Sequence, residues 1–135
     1  MNCMHTPTLS IPLRLLGTIE AGFPSPAEEE LSDTLSLDEW LMENREATIM
    51  FKAPNDSMIG AGIIAGDLIL LDRSRTAKDG DIVLAEIDRV STMRYLRKQG
   101  SRVWLEAAHP QYKGLVPKEK LTVTAVVVAV IRKYY

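Results

Sequence analysis

The feature that most constrains the fold is a series of short apolar segments separated by turn-forming residues, which runs from Asp67 to the C-terminus. The segments are rich in valine, isoleucine and leucine, and glycine, proline or aspartate lies between them. They predict strands at 68–72, 81–87, 91–97, 103–107 and 121–132, after an earlier strand at 48–53. We therefore expect a mostly β chain of several twisted antiparallel strands, with one or two short helices.

The last of these segments is apolar on both of its alternating faces. Valine and alanine occupy most positions of each set, as in Ala125, Val126, Val127 and Val128. A strand of this kind is usually covered on both sides of its sheet. The pattern predicts that this strand is central, or that it bends across two sheets.

The N-terminal part of the chain has a different composition. Residues 1–30 contain four prolines and several small residues and predict a mobile arm, whereas residues 31–135 predict one β domain. Within the arm, residues 11–16 are apolar enough for an extended strand. A short helix is expected at 36–42, with Ser36 as its N-cap and Glu39 completing a capping box.

Composition excludes several classes of function. The 135 residues carry a net charge of -2, whereas a nucleic-acid-binding domain usually has an excess of positive charge. This charge argues against sequence-specific DNA binding. Cys3 is the single cysteine, and with His5 and His109 it makes too small and scattered a set for a metal site, so no metal or cofactor is expected. The N-terminus lacks a signal-peptide pattern, and the longest apolar run is far shorter than the roughly 20 residues that span a bilayer. These features predict a cytoplasmic protein without a membrane partner.

Ser57 is the candidate for chemistry, because it lies in a loop of small and turn-forming residues that follows a predicted strand. In such a loop, the backbone N–H groups of Asp56, Ser57 and Met58 can converge on a developing oxyanion. The motif alone is weak, since an Asp-Ser pair in a loop is usually a cap or a turn. His109 precedes a proline in a predicted turn, so a Ser–His triad fails and a Ser–Lys dyad is the alternative.

Several linked motifs, in a fixed order, resemble the self-cleaving Ser–Lys peptidases of the LexA and UmuD type. The resemblance covers most of the chain, from about Gly17 to the C-terminus. The matching segments are Ala21-Gly22 as the self-cleavage bond, Gly22-Phe23-Pro24-Ser25-Pro26 in the form typical of the UmuD branch, Ser57-Met58 with Gly66-Asp67 as the nucleophile segment, and Lys78-Asp79-Gly80-Asp81-Ile82-Val83 before the catalytic lysine.

The resemblance implies a compact LexA/UmuD-like peptidase domain, with Ser57 as nucleophile and Ala21-Gly22 as the self-substrate. LexA and the phage repressors carry an N-terminal helix-turn-helix module, and about 21 residues before the scissile pair are too few for one, so the expectation is the UmuD branch. That branch implies an accessory subunit of an error-prone translesion polymerase in the SOS response. Its implied partners are a second copy in a homodimer with strand pairing near the C-terminus, a RecA–single-strand DNA filament that stimulates cleavage, and the polymerase catalytic subunit.

The chain departs from the family at its general base, because Arg94 occupies the lysine position about 37 residues after Ser57. A general base must lose its proton, and deprotonating an arginine at pH 7 costs on the order of 7 kcal/mol. General-base catalysis supplies only roughly 3–5 kcal/mol, so the cost exceeds the gain. Self-cleavage is therefore expected to be slow or absent.

Three explanations of Arg94 remain open. It is a substitution made to trap the uncleaved form, a natural residue in a regulator that works uncut or is cut by a partner, or the result of a shifted register in which Lys98 is the base. The functional alternatives are a catalytically dead binding module that regulates a polymerase, and a repressor fragment or anti-repressor of the LexA class.

Overall fold

The computed structural model describes residues 11–16, 34–117 and 120–135. The chain divides into two compact units, with the boundary between Glu43 and Asn44. The predicted end of the arm at residue 30 and its mobility lie outside the described residues. No helix in the described ranges is long and apolar enough to cross a membrane.

The first unit contains a two-stranded antiparallel sheet and one short helix. Strand β1 (Pro12–Arg14) pairs with β2 (Thr34–Ser36), and helix α1 (Leu37–Leu41) follows directly. The predicted helix and its N-cap position at Ser36 are confirmed, but the capping box is wrong. Ser36 Oγ donates to the carboxylate of Asp38 at 2.8 Å, and no side-chain hydrogen bond caps the helix.

The second unit is built on one six-stranded sheet. Its strands are β3 (Thr48–Lys52), β4 (Leu68–Asp72), β5 (Ile82–Ile87), β6 (Val90–Gln99), β7 (Arg102–Glu106) and β8 (Leu121–Ile131), in the spatial order β3-β4-β8-β5-β6-β7. Every neighbouring pair is antiparallel. The mostly β, antiparallel fold expected from the sequence is confirmed, and each predicted strand of this unit is present within two residues of its predicted bounds.

Strand β8 is central, as its two apolar faces predicted. It lies between β4 and β5, and a register shift interrupts its pairing with each of them. Consecutive side chains of a strand point to opposite faces, so Leu84 of β5 packs against one buried cluster and Val83 belongs to the other. The first cluster contains Ala53, Met58, Ile63, Ile69, Leu71 and Ala125, and the second contains Val83, Ala85, Ile87, Leu96, Leu105 and Val126.

A tight hairpin fixes the position of Arg94 on β6. Asp88 and Arg89 connect β5 to β6, and both have positive φ, 46° and 73°, as a type I′ turn requires. This turn sets the register in which Arg94 lies opposite Val83. The residue in the family's lysine position is therefore carried by a paired strand and not by a loop.

Candidate active site

Ser57 lies in the loop between β3 and β4, where a local turn holds its backbone. Its N–H donates to Asn55 Oδ1 at 3.0 Å, and the N–H of Ile59 donates to the carbonyl of Asp56 at 3.0 Å. An asparagine side chain that binds the backbone two residues on is a common way to form such a turn. As a result Ser57 is buried, with only 2% of its surface exposed.

The backbone of Ala108, just beyond β7, holds the next part of the loop. The N–H of Gly60 donates to the Ala108 carbonyl at 2.7 Å, and the N–H of Ala108 donates to Met58 Sδ at 3.4 Å. Met58 is buried in the first core cluster. Met58 and Gly60, one and three residues after Ser57, are thus both tied to the backbone of Ala108.

An ion pair holds the far end of the loop. The carboxylate of Asp67 accepts hydrogen bonds from Arg132 Nε at 2.7 Å and Nη2 at 2.6 Å, and from the N–H of Ile64 at 2.9 Å. Arg132 also donates to the carbonyl of Gly62 at 2.9 Å. The hydrogen bonds from Arg132, and then that from Ile64, lower the pKa of Asp67 to about 2. This pair joins the serine loop to the end of the central strand.

Arg94 reaches Ser57 directly. Its Nη1 donates to Ser57 Oγ at 2.9 Å and to the carbonyl of Met93 at 2.7 Å. The guanidinium carbon lies 5.7 Å from the centre of the Tyr112 ring. The structure therefore brings together the two residues that the sequence proposed for the site.

The electrostatic setting of Arg94 is unusual for an arginine. Burial lowers the pKa of its guanidinium, while the charge interaction with Tyr112 raises it. Nε is buried and has no hydrogen-bond partner among the residues that the structure describes. A buried N–H donor without an acceptor lowers the stability of the folded state, so Arg94 is held in this position at an energetic cost.

The rival base, Lys98, lies elsewhere. Its Nζ donates to the carbonyl of Ala77 at 3.3 Å, and its backbone N–H donates to Asp79 Oδ1 at 2.7 Å. Lys98 is exposed on β6, four residues and therefore about 13 Å along the strand beyond Arg94. The geometry favours the register in which residue 94 is the partner of Ser57.

The three backbone groups expected around an oxyanion are not equally available. The N–H of Ser57 is already used by Asn55. Asp56 uses its carboxylate to accept from the N–H of Ala65 at 2.9 Å, which stabilises the loop. No acceptor for the N–H of Met58 occurs within the described part of the chain. The oxyanion role of these residues stays a prediction, with Met58 as the available donor.

An apolar cleft lies beside this loop. It has a volume of about 300 Å³ and is lined by Phe51, Lys52, Ala53, Pro54, Ile69, Leu71, Leu84, Ser91, Thr92 and Met93. Pro54 places one end of the cleft at the start of the Ser57 loop, whereas neither Ser57 nor Arg94 is among its lining residues. Ala21 and Gly22, the predicted self-cleavage pair, lie outside the described residues.

Sequence reasoning missed four residues of this site: Asn55, Ala108, Tyr112 and Arg132. The role of Asn55 could have been predicted, because the side chain of an asparagine in a loop often accepts the backbone N–H of the residue two positions further on. The others act through contacts with residues far away in the sequence, such as Arg132 with Asp67. No local pattern indicates such contacts.

Comparison with known proteins agrees with this geometry. A family model described as Peptidase S24-like matches residues 14–128. The LexA repressor of Gluconobacter oxydans is 38% identical over 129 residues, which are 94% of this chain and 53% of that protein. The LexA repressor of Acidothermus cellulolyticus is 35% identical over 120 residues, 88% of this chain and 42% of that protein. The LexA repressor of Anaeromyxobacter sp. strain Fw109-5 is 32% identical over 127 residues, which are 91% of this chain and 55% of that protein. The chain spans about half the length of these curated relatives.

Proposed function

Because this chain belongs to the S24-like peptidase family, to which LexA and UmuD belong, we propose that it is a self-processing domain that persists in its uncut form. In this proposal Ser57 is the nucleophile, Ala21-Gly22 is the self-substrate, and Arg94 stands in the place of the general-base lysine. The chain would serve as a UmuD-like accessory protein of error-prone translesion synthesis in the SOS response.

The observation that carries the proposal is the direction of the hydrogen bond between Arg94 and Ser57. Arg94 Nη1 donates to Ser57 Oγ. A general base must do the reverse and accept the hydroxyl hydrogen. Arginine has no acceptor atom while it is protonated, so the contact positions the serine but does not activate it.

The energies point the same way. Removing the proton from an ordinary arginine at neutral pH costs about 7 kcal/mol. Burial lowers the pKa of Arg94 and so reduces this cost, but Tyr112 acts in the opposite direction. The ordinary pKa of a lysine is about two units lower than that of an arginine, and burial lowers it further. A buried lysine can therefore lose its proton at neutral pH and serve as a base.

With lysine at position 94, the reaction would proceed through an acyl-enzyme. Ser57 Oγ would attack the carbonyl carbon of Ala21 as its proton passes to the lysine. The proton would then be delivered to the nitrogen of Gly22, which leaves as an amine. Water would hydrolyse the ester and leave a carboxylate on Ala21.

The UmuD branch is proposed from the segment Gly22-Phe23-Pro24-Ser25-Pro26, which has the form typical of that branch. The proposed partners follow from it: a second copy of the chain, a RecA–single-strand DNA filament and a translesion polymerase catalytic subunit. The proposed location is the cytoplasm.

A second candidate function is a LexA-like regulator, or a catalytically dead binding module, that acts uncut. The names of the relatives favour the LexA side, since those compared above are LexA repressors. The inverted hydrogen bond from Arg94 favours a module without activity.

The decisive experiment compares the unmodified chain with Arg94→Lys, at alkaline pH and with a RecA–single-strand DNA–nucleotide filament. We expect only the lysine form to give a fragment that starts at Gly22, detected by intact mass. The control is Arg94→Lys combined with Ser57→Ala, which must stay intact. Rapid cleavage of the unmodified chain would refute the blocked-base proposal.

The branch is tested separately with uncut protein. Co-purification with a translesion polymerase subunit supports the UmuD-like role, whereas tight binding to an operator sequence supports the LexA-like one. Salt-dependent binding with no sequence preference would support neither assignment.

A further inference from the structure

The loop that follows β7, residues 106–114, is closed at its base. The N–H of Leu105 donates to the carbonyl of Leu115 at 2.8 Å, and the N–H of Leu115 donates back to the Leu105 carbonyl at 2.7 Å. Two residues that exchange hydrogen bonds in this way form a hydrogen-bonded pair of an antiparallel ladder. Because β7 pairs with β6, the base of the loop is fixed to the strand that carries Arg94.

Contacts within this loop fix the position of the Tyr112 ring. The N–H of Tyr112 donates to the carbonyl of His109 at 3.1 Å, and the N–H of Gln111 donates to His109 Nδ1 at 3.0 Å. The rings of His109 and Tyr112 meet edge to face, with centroids 4.9 Å apart and an angle of 62° between their planes. This arrangement is favourable for aromatic rings. An exposed tyrosine is thus held by its own loop.

The same loop contacts both partners of the candidate site. The backbone of Ala108 binds Met58 and Gly60, which directly follow Ser57 in the serine loop. The Tyr112 ring lies 5.7 Å from the guanidinium carbon of Arg94, within the roughly 6 Å range of a cation–π contact. A loop that holds the serine segment at one point and residue 94 at another can fix the distance between the two.

Arg94 has few other contacts that would fix its guanidinium. Nη1 donates to Ser57 Oγ and to the Met93 carbonyl, whereas Nε has no hydrogen-bond partner in residues 11–16, 34–117 and 120–135. Within the same ranges Arg94 forms no ion pair. A long side chain loses rotamer entropy when it is held in one geometry, so a favourable contact with an aromatic face shifts its population towards that geometry.

We propose that Tyr112 is a positioning residue, which keeps the side chain of residue 94 against Ser57. The ring acts through residue 94, and the loop 106–114 carries the ring to that place. With lysine at position 94, the group that Tyr112 positions is the general base, and this part of the proposal rests on the proposed function. The contact with Arg94 itself depends on no reaction and is tested first.

The first test measures the exchange of the Arg94 Nε–H with water by NMR, in the full-length ¹⁵N-labelled chain. Tyr112→Leu removes the aromatic face and should speed this exchange about three- to tenfold. Tyr112→Phe keeps the face and should stay within about twofold of the unmodified chain. The backbone amides of β8 report global opening, and a merely structural role of Tyr112 would speed their exchange by the same factor.

The matched control is Tyr95→Leu, because the Tyr95 ring forms the same kind of contact with another arginine of β6. It lies 4.8 Å from the guanidinium carbon of Arg97. Tyr95→Leu should leave the exchange of the Arg94 Nε–H within about twofold. Unchanged exchange in Tyr112→Leu, equally fast exchange in Tyr112→Phe, or the same acceleration in Tyr95→Leu would overturn the proposal.

The second test measures self-cleavage in the Arg94→Lys background, by intact mass against time at alkaline pH. Adding Tyr112→Leu should slow cleavage about tenfold or more, because the base is no longer held against Ser57, whereas adding Tyr112→Phe should change the rate by less than about twofold. If Arg94→Lys cleaves equally fast with Tyr112→Leu added, the positioning role fails and the proposed function stands. If Arg94→Lys stays intact while the exchange results hold, the proposed function fails and the positioning of Arg94 stands.

Discussion

The contact between Gly60 and Ala108 gives the sharpest test of how the serine loop is held. A Cβ added at Gly60 would lie 2.7 Å from the carbonyl oxygen of Ala108, which real Cβ atoms do not approach. The same carbonyl accepts the N–H of Gly60 at 2.7 Å. Gly60→Ala must therefore push the loop away from the backbone of Ala108, whose N–H also donates to Met58 Sδ.

The magnitude follows from three terms. Forced overpacking costs about 1–3 kcal/mol. Loss of the Gly60 hydrogen bond costs about 1 kcal/mol. The restricted unfolded state returns about 0.4–1 kcal/mol, because the φ of Gly60 is not in the left-handed region. We expect a net destabilisation of about 1–3.6 kcal/mol, or roughly 3–14 °C in Tm for a chain of this length.

The assay is urea unfolding of Gly60→Ala, followed by cleavage in the Arg94→Lys background under conditions where both proteins are folded. Displacement of the serine loop should slow cleavage by about ten- to hundredfold. The control is Gly62→Ala, where an added Cβ meets nothing within 4 Å and the only penalty is the positive φ of 85°. It should cost about 1 kcal/mol.

A second variant separates the side chain of Ala108 from its backbone as the obstacle to a Cβ at Gly60. The Ala108 side chain lies 3.3 Å from that Cβ and its carbonyl oxygen 2.7 Å. Because the nearer obstacle is backbone, adding Ala108→Gly should recover little of the lost stability. A neutral or stabilising Gly60→Ala, or full recovery in the double variant, would refute the reasoning.

Three further predictions concern the core, the ion pair and the rival base. Met58→Ala should lower the free energy of unfolding by about 2–5 kcal/mol, because Met58 is fully buried in the first cluster; urea unfolding measures it. The pKa of Asp67 is lowered from 3.8 to about 2, so its ionised carboxylate stabilises the folded state fully at pH values well above 3.8, and this stabilisation is lost as the pH falls towards 2. Asp67→Asn should remove this part of the acid dependence of the urea midpoint. Lys98→Ala in the Arg94→Lys background should leave the rate of self-cleavage within about twofold, because Lys98 Nζ binds the Ala77 carbonyl and not Ser57; intact mass against time measures it.

The strands were predictable because their signals are local. Apolar alternation and the turn residues between segments placed β4 at its observed bounds, and the two apolar faces of β8 indicated its central position. The capping box failed for a local reason as well. A serine hydroxyl can donate as well as accept, and Ser36 found the carboxylate of Asp38 two residues away.

The site was predictable only in part. The pairing of Ser57 with Arg94 followed from the resemblance, because spacing within one sequence does not say which residues meet. The contacts that hold the loop could not be predicted. Ala108 meets Met58 across 50 residues and Arg132 meets Asp67 across 65, and such contacts depend on the order of strands in the sheet.

The direction of one hydrogen bond carries the account of Arg94 as a blocked base. A protonated arginine can only donate, so the geometry that places Nη1 against Ser57 Oγ withholds the base that the reaction needs. A lysine at the same place can become neutral when it is buried, and it can then accept the proton of the serine hydroxyl. Arg94→Lys should therefore gain cleavage, and an Arg94→Lys chain that stayed intact under every condition would contradict this account.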